Sequence, residues 1–198
     1  MQATVRPALV IFIVLSILCG VIYPFAITGI GQVAFAHQAA GGLVDRAGLP
    51  ANTDKAVGSL LIGQAFTAPA YFWGRPSATS PMPNNATASS GANQGPLNPA
   101  LIDAVKSRID ALKTADPANS AAIPVDLVTA SASGLDPDIS VAAAYYQSAR
   151  VARTRKLSLD TVTGAIERLK TGQHLGFLGE PIVNVLALNI ALDQAGGK

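Results

Sequence analysis

Few residues of this chain have the type and spacing that catalysis requires. His37 and His174 are the only histidines, and neither has a second His, a Cys or a close acid at the spacing of a metal site. The chain contains no G-x-S-x-G elbow for nucleophilic catalysis and no G-x-x-x-x-G-K-[ST] loop that would cradle phosphates. The sequence therefore gives no indication of a common hydrolase, metalloenzyme or kinase.

The carboxylate pairs have simpler explanations than acid–base catalysis. Asp103 and Asp110 belong to a predicted helix face, whereas Asp136 and Asp138 flank a proline in a predicted turn. Residues 90–95, with the sequence Ser-Gly-Ala-Asn-Gln-Gly, could present backbone amides to an anion. That composition is more typical of a plain turn.

A nucleotide site is one hypothesis that the polar residues allow. Asn93, Gln147, Arg150 and Arg153 would surround the base and the phosphates. The arginine fork suits phosphate oxygens, and residues 147, 150 and 153 recur at i, i+3 spacing on one predicted helix face. In the alternative interpretation, Gln147 and Arg150 tie the helix to neighbouring turns.

The longest apolar stretch predicts a membrane span. The 38 residues between Arg6 and Asp45 include no Asp, Glu, Lys or Arg, and residues 8–36 are largely apolar. About 20 such residues cross the hydrocarbon core of a bilayer, whereas signal-peptide cores run to roughly 7–15 residues. A retained single-pass anchor is therefore favoured over a signal cleaved near the small-x-small site at residues 34–36. Arg6 on one side and Arg46 on the other leave little charge bias to set the orientation.

Three residues of the apolar run concern its geometry and packing. Pro24 removes a backbone hydrogen bond and predicts a kink. Ser16 and Gly20 form a small-xxx-small pair, which would let another helix approach closely in lipid. We take these two as the candidate packing residues of the membrane helix.

The charge of the rest of the chain is balanced. Residues 38–198 hold 13 of the 14 basic residues and all 12 acidic residues, which argues against a nucleic-acid-binding protein. The single cysteine, Cys19, lies in the apolar run, so the remainder can form neither disulfides nor Cys-ligated metal sites. From its chemistry alone, the sequence favours a membrane-tethered binding or assembly domain over an enzyme.

The pattern of residues predicts an α+β fold, with one N-terminal transmembrane helix followed by a single helix-rich domain with a small β-sheet. Strands are predicted at residues 59–66 and 124–130, and a long proline-rich loop at residues 68–97. Residues 134–138 form a predicted turn. Helices are predicted to begin after Asn98, Ser140 and Ser158, which are residue types that cap helices. A last helix is predicted at about residues 183–194.

Several blocks of sequence are specific enough to indicate a family. The clearest are G-Q-A-F at residues 63–66 and V-D-L-V-T-A-S-A-S-G-L-D-P at residues 125–137. Through these blocks and others at residues 71–72, 75–78, 90–99, 147–153 and 176–186, the chain resembles the KdpC family, the C subunit of the bacterial potassium-transporting Kdp P-type ATPase. The resemblance covers essentially the whole chain. Ala92, Gln94 and Asp138 depart from the residues that the family often has at these positions.

The resemblance implies a non-catalytic subunit of a high-affinity, ATP-driven potassium uptake complex, needed for assembly, stability and modulation of transport. The implied partners are a potassium-channel-like subunit, a P-type ATPase subunit and a small single-span subunit, and K⁺ would be the cargo of the complex. The chain lacks the D-K-T-G-T phosphorylation loop of P-type ATPases, so we do not expect it to be the hydrolytic subunit.

The resemblance also implies a topology in the bacterial inner membrane. Residues 1–7 would be cytoplasmic, residues 8–36 would form the transmembrane helix and its extension, and residues 37–198 would be a periplasmic domain. An alternative role implied by the family is a catalytic chaperone that binds ATP and raises the nucleotide affinity of the ATPase subunit. A periplasmic domain would not meet cytoplasmic ATP, so we favour the topology. The family motifs contain these candidate interface or nucleotide residues: Gln64, Arg75, Asn93, Asn98, Asp126, Ser133, Asp136, Gln147, Arg150, Arg153 and Asn184.

Overall fold

The computed structural model describes residues 2–196, with side chains from Thr4 onward. The chain divides into two compact units, and the division falls between Gly42 and Leu43. We describe each unit by itself.

The N-terminal unit is one long helical run. Helix α1 spans Gln2–Ile17, a π-helical turn spans Leu18–Ile22 and helix α2 spans Tyr23–Ala34. The stretch Thr4–Ala34, 31 residues, is the one helix among the described residues that is long and apolar enough to cross a membrane. At the α-helical rise it would measure about 46 Å, which exceeds a hydrocarbon core of about 30 Å. The predicted apolar span is thus a continuous helix.

The hydrogen bonding of this helix departs from α geometry immediately before its proline. The amide of Tyr23 donates to the carbonyl of Leu18, five residues earlier, which is the π pattern. Pro24 has no N–H to donate and occupies the first turn of α2. A π turn therefore precedes Pro24, and the kink predicted at this proline stays a prediction. A short helix α3, Ala36–Ala39, follows Phe35.

The larger unit contains two small antiparallel sheets. Strands β1 (Leu43–Val44) and β2 (Gly58–Ser59) pair with each other. Strands β3 (Asp138–Ser140), β4 (Lys170–Thr171) and β5 (Ile182–Asn184) form the second sheet in the order β3-β5-β4. Ile139 lies opposite Val183, and Thr171 lies opposite Ile182. Strand β5 is therefore the centre of this sheet.

Four helices of the larger unit begin at side-chain caps. They are α4 (Pro99–Ala115), α5 (Val141–Arg155), α6 (Leu159–Leu169) and α7 (Val185–Ala195). The caps Asn98, Ser140 and Ser158 each accept a backbone N–H at 3.0 Å, as predicted, and Asn184 caps α7 at 3.1 Å. These bonds satisfy amides that have no partner inside the helix.

The main core lies where helices α5, α6 and α7 meet the β3-β5-β4 sheet. Val151, Ile166, Val183 and Leu188 are fully buried there, and Phe72 joins them from the long loop. The α+β class predicted from the sequence is confirmed, with one apolar N-terminal helix and small sheets.

Both predicted strands are wrong. Beyond the two-residue strand β2, residues 60–66 form turns and irregular chain. The cause is a long-range contact, because the amide of Gly63 donates to the carbonyl of Leu135 at 2.8 Å and Gly63 lies close to the backbone of Asp136. Residues 125–127 form a 3₁₀ turn, in which Asp126 accepts the amide of Ser140 at 2.7 Å. In both places, single long-range hydrogen bonds replace the predicted sheet ladder.

Strands β3 and β5 lie where the sequence predicted a turn and a helix. Asp138, assigned to a turn, begins β3, and Val183, assigned to the last helix, is the centre of β5. Strands of two or three residues carry no readable alternation, which is why they were missed. The long loop at residues 68–97 is confirmed, apart from a 3₁₀ turn at Ala86–Ala88.

Candidate functional site

The long loop begins with an aromatic segment, residues 69–73, that enters the core without a strand partner. Phe72 is completely buried. Its amide donates to Asn189 Oδ1 at 2.8 Å, and its carbonyl accepts from Asn189 Nδ2 at 3.0 Å. The next residue, Trp73, donates its amide to Gln147 Oε1 at 2.9 Å, and its carbonyl accepts from Gln147 Nε2 at 3.1 Å. Two side-chain amides thus provide the bonds that a neighbouring strand would make.

Arg150 holds the other end of this segment. The guanidinium donates to the carbonyls of Pro69 and Tyr71, to the latter at 3.1 Å, and to Gln147 Oε1 at 2.7 Å. It also lies 4.8 Å from the centre of the Trp73 ring, a cation–π distance. Burial lowers the pKa of Arg150 to about 10, and the charge of Asp116 opposes that shift. The side chain is therefore a buried cation at neutral pH, stabilised chiefly by carbonyls and an aromatic face.

Two further arginines of helix α5 are engaged near this segment. Arg155 donates through Nε to the carbonyl of Ala70 at 2.5 Å, pairs with Asp193 at 2.7 Å and lies over the Tyr71 ring at 4.6 Å. Arg153 pairs with the buried carboxylate of Asp116. Arg153 and Arg155, near the end of α5, therefore bind neighbouring segments of the chain, including the start of the long loop.

The four residues of the nucleotide hypothesis do not form one site. Gln147 and Arg150 are almost fully buried, and their donors are bonded to the aromatic segment. Asn93 is exposed in a later part of the same long loop, where Gly91 lies against the backbone of Ala132. The donors of Gln147 and Arg150 are therefore already engaged within the fold. These contacts match the alternative interpretation, in which Gln147 and Arg150 tie helix α5 to a neighbouring turn.

A second group of predicted residues surrounds a groove of about 450 Å³ beside strand β3. Arg75 pairs with Asp136 at 2.9 Å, at one edge of the groove. Asp126 accepts both the amide and the hydroxyl of Ser140, at 2.7 and 3.2 Å. These contacts hold the start of helix α5 against the Val125–Leu127 turn.

Asp138 and Asn184 face each other across this sheet. Asn184 Nδ2 donates to Asp138 Oδ1 at 3.1 Å and to the carbonyl of Leu60 at 2.9 Å. Burial raises the pKa of Asp138, the hydrogen bond from Asn184 lowers it, and the nearby charge of Asp136 raises it further. The net shift of this pKa is upward, so the ionised form of Asp138 is less stable in the fold than in the unfolded chain.

The remaining predicted residues have local structural contacts. Ser133 accepts the amide of Leu135 at 3.1 Å through its hydroxyl, and its carbonyl accepts the amide of Ser90 at 3.0 Å. Asn98 is a helix cap. Gln64 lies against Gly58 and lines a largely apolar groove of about 410 Å³ together with Phe66, Trp73, Arg75, Arg108 and Leu127.

No group of three or more His, Cys, Asp and Glu side chains among the described residues could hold a metal ion. His37 lies in the N-terminal unit, and His174 lies in an exposed turn of the larger unit. In the apolar helix, a Cβ built on Gly20 would meet no atom within 4 Å. Nothing in the described chain therefore packs on Gly20.

Sequence reasoning missed Asn189 as the hydrogen-bond partner of Phe72. Asn189 is a polar interruption of the otherwise apolar helix α7. That interruption was the available signal, because a buried asparagine needs partners for its amide. Its partner lies 117 residues away in the sequence, so no local pattern identifies it.

Comparisons with known proteins agree over nearly the whole chain. A family model described as KdpC, K⁺-transporting ATPase, c chain, matches residues 5–194. Three curated relatives are each named potassium-transporting ATPase KdpC subunit. The relative from Herminiimonas arsenicoxydans is 67% identical over 98% of this chain and 99% of its own length. Those from Janthinobacterium sp. (strain Marseille) and Polaromonas naphthalenivorans (strain CJ2) are 66% and 62% identical, each over 98% of this chain and over 100% and 95% of their own lengths.

The amide pairing to the aromatic segment predicts a large loss of stability on substitution. Gln147→Met keeps the length of the side chain but leaves both backbone groups of Trp73 without partners. At about 1–3 kcal/mol for each unsatisfied group, we expect a loss of about 2–6 kcal/mol in the free energy of unfolding. Urea unfolding of the full chain in detergent, followed by the fluorescence of the single tryptophan, Trp73, measures it directly.

The matched control is Gln194→Met. Gln194 also donates to a backbone carbonyl, that of Arg46 at 3.3 Å, but it is exposed. We expect a change within about 0.5 kcal/mol for that variant. Equal effects of the two substitutions would contradict the assignment of Gln147 as a buried partner of the aromatic segment.

The raised pKa of Asp138 predicts a pH-dependent effect of Asp138→Asn. The folded protein binds this proton more tightly than the unfolded chain does, so the carboxyl's contribution to stability is present below its ordinary pKa of 3.8 and is lost as the pH rises through the folded pKa. The substituted side chain cannot ionise and can still accept from Asn184. The stability of the variant relative to the natural chain should therefore be higher at neutral pH than below pH 3.8. A difference that stays constant across that range, measured by urea unfolding at both pH values, would show that Asp138 does not titrate in this way.

Proposed function

The chain belongs to the KdpC family of K⁺-transporting ATPase c chains, and we propose that it is a non-catalytic subunit that supports assembly of the complex and modulates its transport. The observation that carries the proposal is that polar side chains of the chain bind its own backbone. Gln147, Arg150 and Asn189, which have the chemistry of binding residues, are buried and bonded to the chain's own backbone. Such a unit offers a shaped, stable surface to partners.

A second role, that of a catalytic chaperone binding ATP, has less support. It was implied by the family resemblance and would use Asn93, Gln147, Arg150 and Arg153. Freeing Gln147 and Arg150 for a ligand would leave the backbone of the aromatic segment without its hydrogen bonds, which costs more than a typical nucleotide contact returns. We therefore favour the assembly role.

The proposed topology places the larger unit in the periplasm. One apolar helix in a potassium-transporting ATPase subunit indicates a membrane protein. We propose that residues 1–7 are cytoplasmic, that residues 8–36 cross the inner membrane, and that residues 37–198 lie outside the cytoplasm. The family resemblance supports this orientation, because the charges that flank the helix do not decide it.

The proposed partners are the other chains of the ATPase: a potassium-channel-like subunit, a P-type ATPase subunit and a small single-span subunit. K⁺ is then the cargo of the complex, and this chain is not required to bind it. Ser16 and Gly20 are the proposed contact residues in the membrane. Their side of the helix is exposed in the described chain, so another helix can reach it.

The function is tested by purification of the full chain with and without the other subunits. We expect it to co-purify with the channel-like and ATPase subunits, to hydrolyse no ATP alone and to release no heat when titrated with ATP at millimolar concentration. Sustained hydrolysis by the isolated chain, or purification of the complex without it at full activity, would reject the assembly role. Binding heat with ATP would favour the chaperone role, most clearly if a reporter fused to the C-terminus lay in the cytoplasm.

The membrane helix gives a separate prediction for Gly20→Leu. Leucine inserts well into lipid, and it would clash with nothing in the described chain, because no atom lies within 4 Å of the new Cβ. At a close helix–helix contact, however, the added side chain would block the approach of the partner helix. We expect Gly20→Leu to lower co-purification with the other subunits at least about tenfold, since several packing contacts are lost.

The control is Ile13→Leu, at another exposed position of the same helix. This substitution preserves volume and hydrophobicity and should leave the complex intact. If the two variants co-purify equally well, Gly20 faces lipid and the helix serves only as a tether.

A further inference from the structure

A long hairpin leaves the three-stranded sheet between β4 and β5. Residues 171–181 are all exposed, and at the base of the hairpin the carbonyl of Pro181 accepts the amide of Val141 at 3.2 Å. At its tip, His174 and Leu178 exchange both backbone hydrogen bonds at 2.9 Å. Gln173 Nε2 donates to the carbonyl of Gly179 at 2.7 Å. The tip of the hairpin is therefore ordered by bonds within the hairpin itself.

The tip presents apolar side chains to the outside. Leu175, Phe177 and Leu178 are 83%, 70% and 50% exposed. Leu175 also has a φ of +54°, in the left-handed region that leucine rarely adopts. Three exposed apolar side chains on one ordered turn form a protruding apolar patch, and such patches mark interaction sites.

We propose that residues 171–181 are a docking element that inserts into a concave, apolar and uncharged pocket of another subunit of the ATPase. This inference rests on the proposed function, because it assumes that the chain works within the complex. Residues 171–179 include no Asp, Glu, Lys or Arg, and the flanking charges, Lys170 and Glu180, lie at the base and have opposite signs. An uncharged apolar tip is complementary to an uncharged apolar pocket.

The shape and charge of the tip favour a protein pocket over two other possible contacts, a second copy of the chain and the surface of the bilayer. A stable interface between two copies buries roughly 800 Å² per partner, which is more than three apolar side chains on a single turn provide. Segments that insert into the surface of a bilayer usually carry basic residues for anionic headgroups, whereas residues 171–179 carry none. A preformed tip of fixed shape suits a protein pocket, where a few buried apolar anchors provide most of the binding energy.

The test compares Leu175→Asp and Phe177→Asp with Leu97→Asp in the intact complex. Leu97 is 90% exposed and lies outside the hairpin, so it controls for a new surface charge. Aspartate accepts the left-handed conformation better than leucine does, so Leu175→Asp does not strain the turn. We expect either hairpin variant to bind the other subunits about thirtyfold more weakly, as substitutions of anchor residues do, and Leu97→Asp to bind as the natural chain does.

A labelling experiment identifies the occupant. Phe177→Cys in a Cys19→Ser background carries a single thiol, and its reaction with a water-soluble maleimide is followed in lipid nanodiscs. We expect fast labelling of the chain alone and at least about tenfold slower labelling in the complex, since a docked anchor is fully desolvated. Slow labelling of the chain alone would show that the tip contacts the bilayer. If that labelling rate depends on protein concentration, the tip instead contacts a second copy of the chain. Fast labelling in the complex would show a free tip.

The outcomes separate this proposal from the function on which it rests. If the natural chain does not enter the complex at all, the proposed function fails. If the natural chain enters it and the hairpin variants enter equally well, the function stands and the docking element is overturned.

Discussion

The larger unit depends on one requirement, that a loop buried in the core must satisfy its own backbone. The aromatic segment passes through the interior with Phe72 fully buried, yet it pairs with no strand. Its amides and carbonyls are matched by Asn189 of helix α7 and by Gln147 and Arg150 of helix α5. A buried backbone group without a partner costs about 1–3 kcal/mol, so these side chains determine that the loop can lie there at all. The same bonds connect helices α5 and α7 through the aromatic segment, in addition to their packing in the core.

This requirement explains why residues that resemble a binding site are structural. A glutamine and an arginine at i, i+3 spacing, near a glycine- and asparagine-rich loop, match the chemistry that recognises nucleotides. In the fold, the same donors bind carbonyls of the long loop, and the arginine charge lies against the ring of Trp73. These donors are occupied by the protein's own backbone.

A structural feature could be predicted from the sequence when the interacting residues lie close together in the chain, and could not when they lie far apart. Asn98, Ser140 and Ser158 were identified as helix caps because a cap and its target lie within three residues. The apolar helix was evident from its length. The strands were missed because they are two or three residues long, and the strand predicted at residues 124–130 was wrong because Asp126 binds Ser140, a contact that no local pattern encodes. The family was identified from long sequence blocks, whereas the roles of single residues within those blocks required the fold.

The spacing of the buried amide pairs along the chain has a consequence for biogenesis. Trp73 and Gln147 are 74 residues apart, and Phe72 and Asn189 are 117 residues apart. At synthesis rates of about 5–20 residues per second, Asn189 is made roughly 6–23 s after Phe72. Throughout that interval the backbone of Phe72 lacks the partner that it has in the fold, although Gln147, the partner of Trp73, is made earlier. The nascent protein therefore passes through a period in which Phe72 cannot be buried as it is in the fold, and synthesis of helix α7 ends that period.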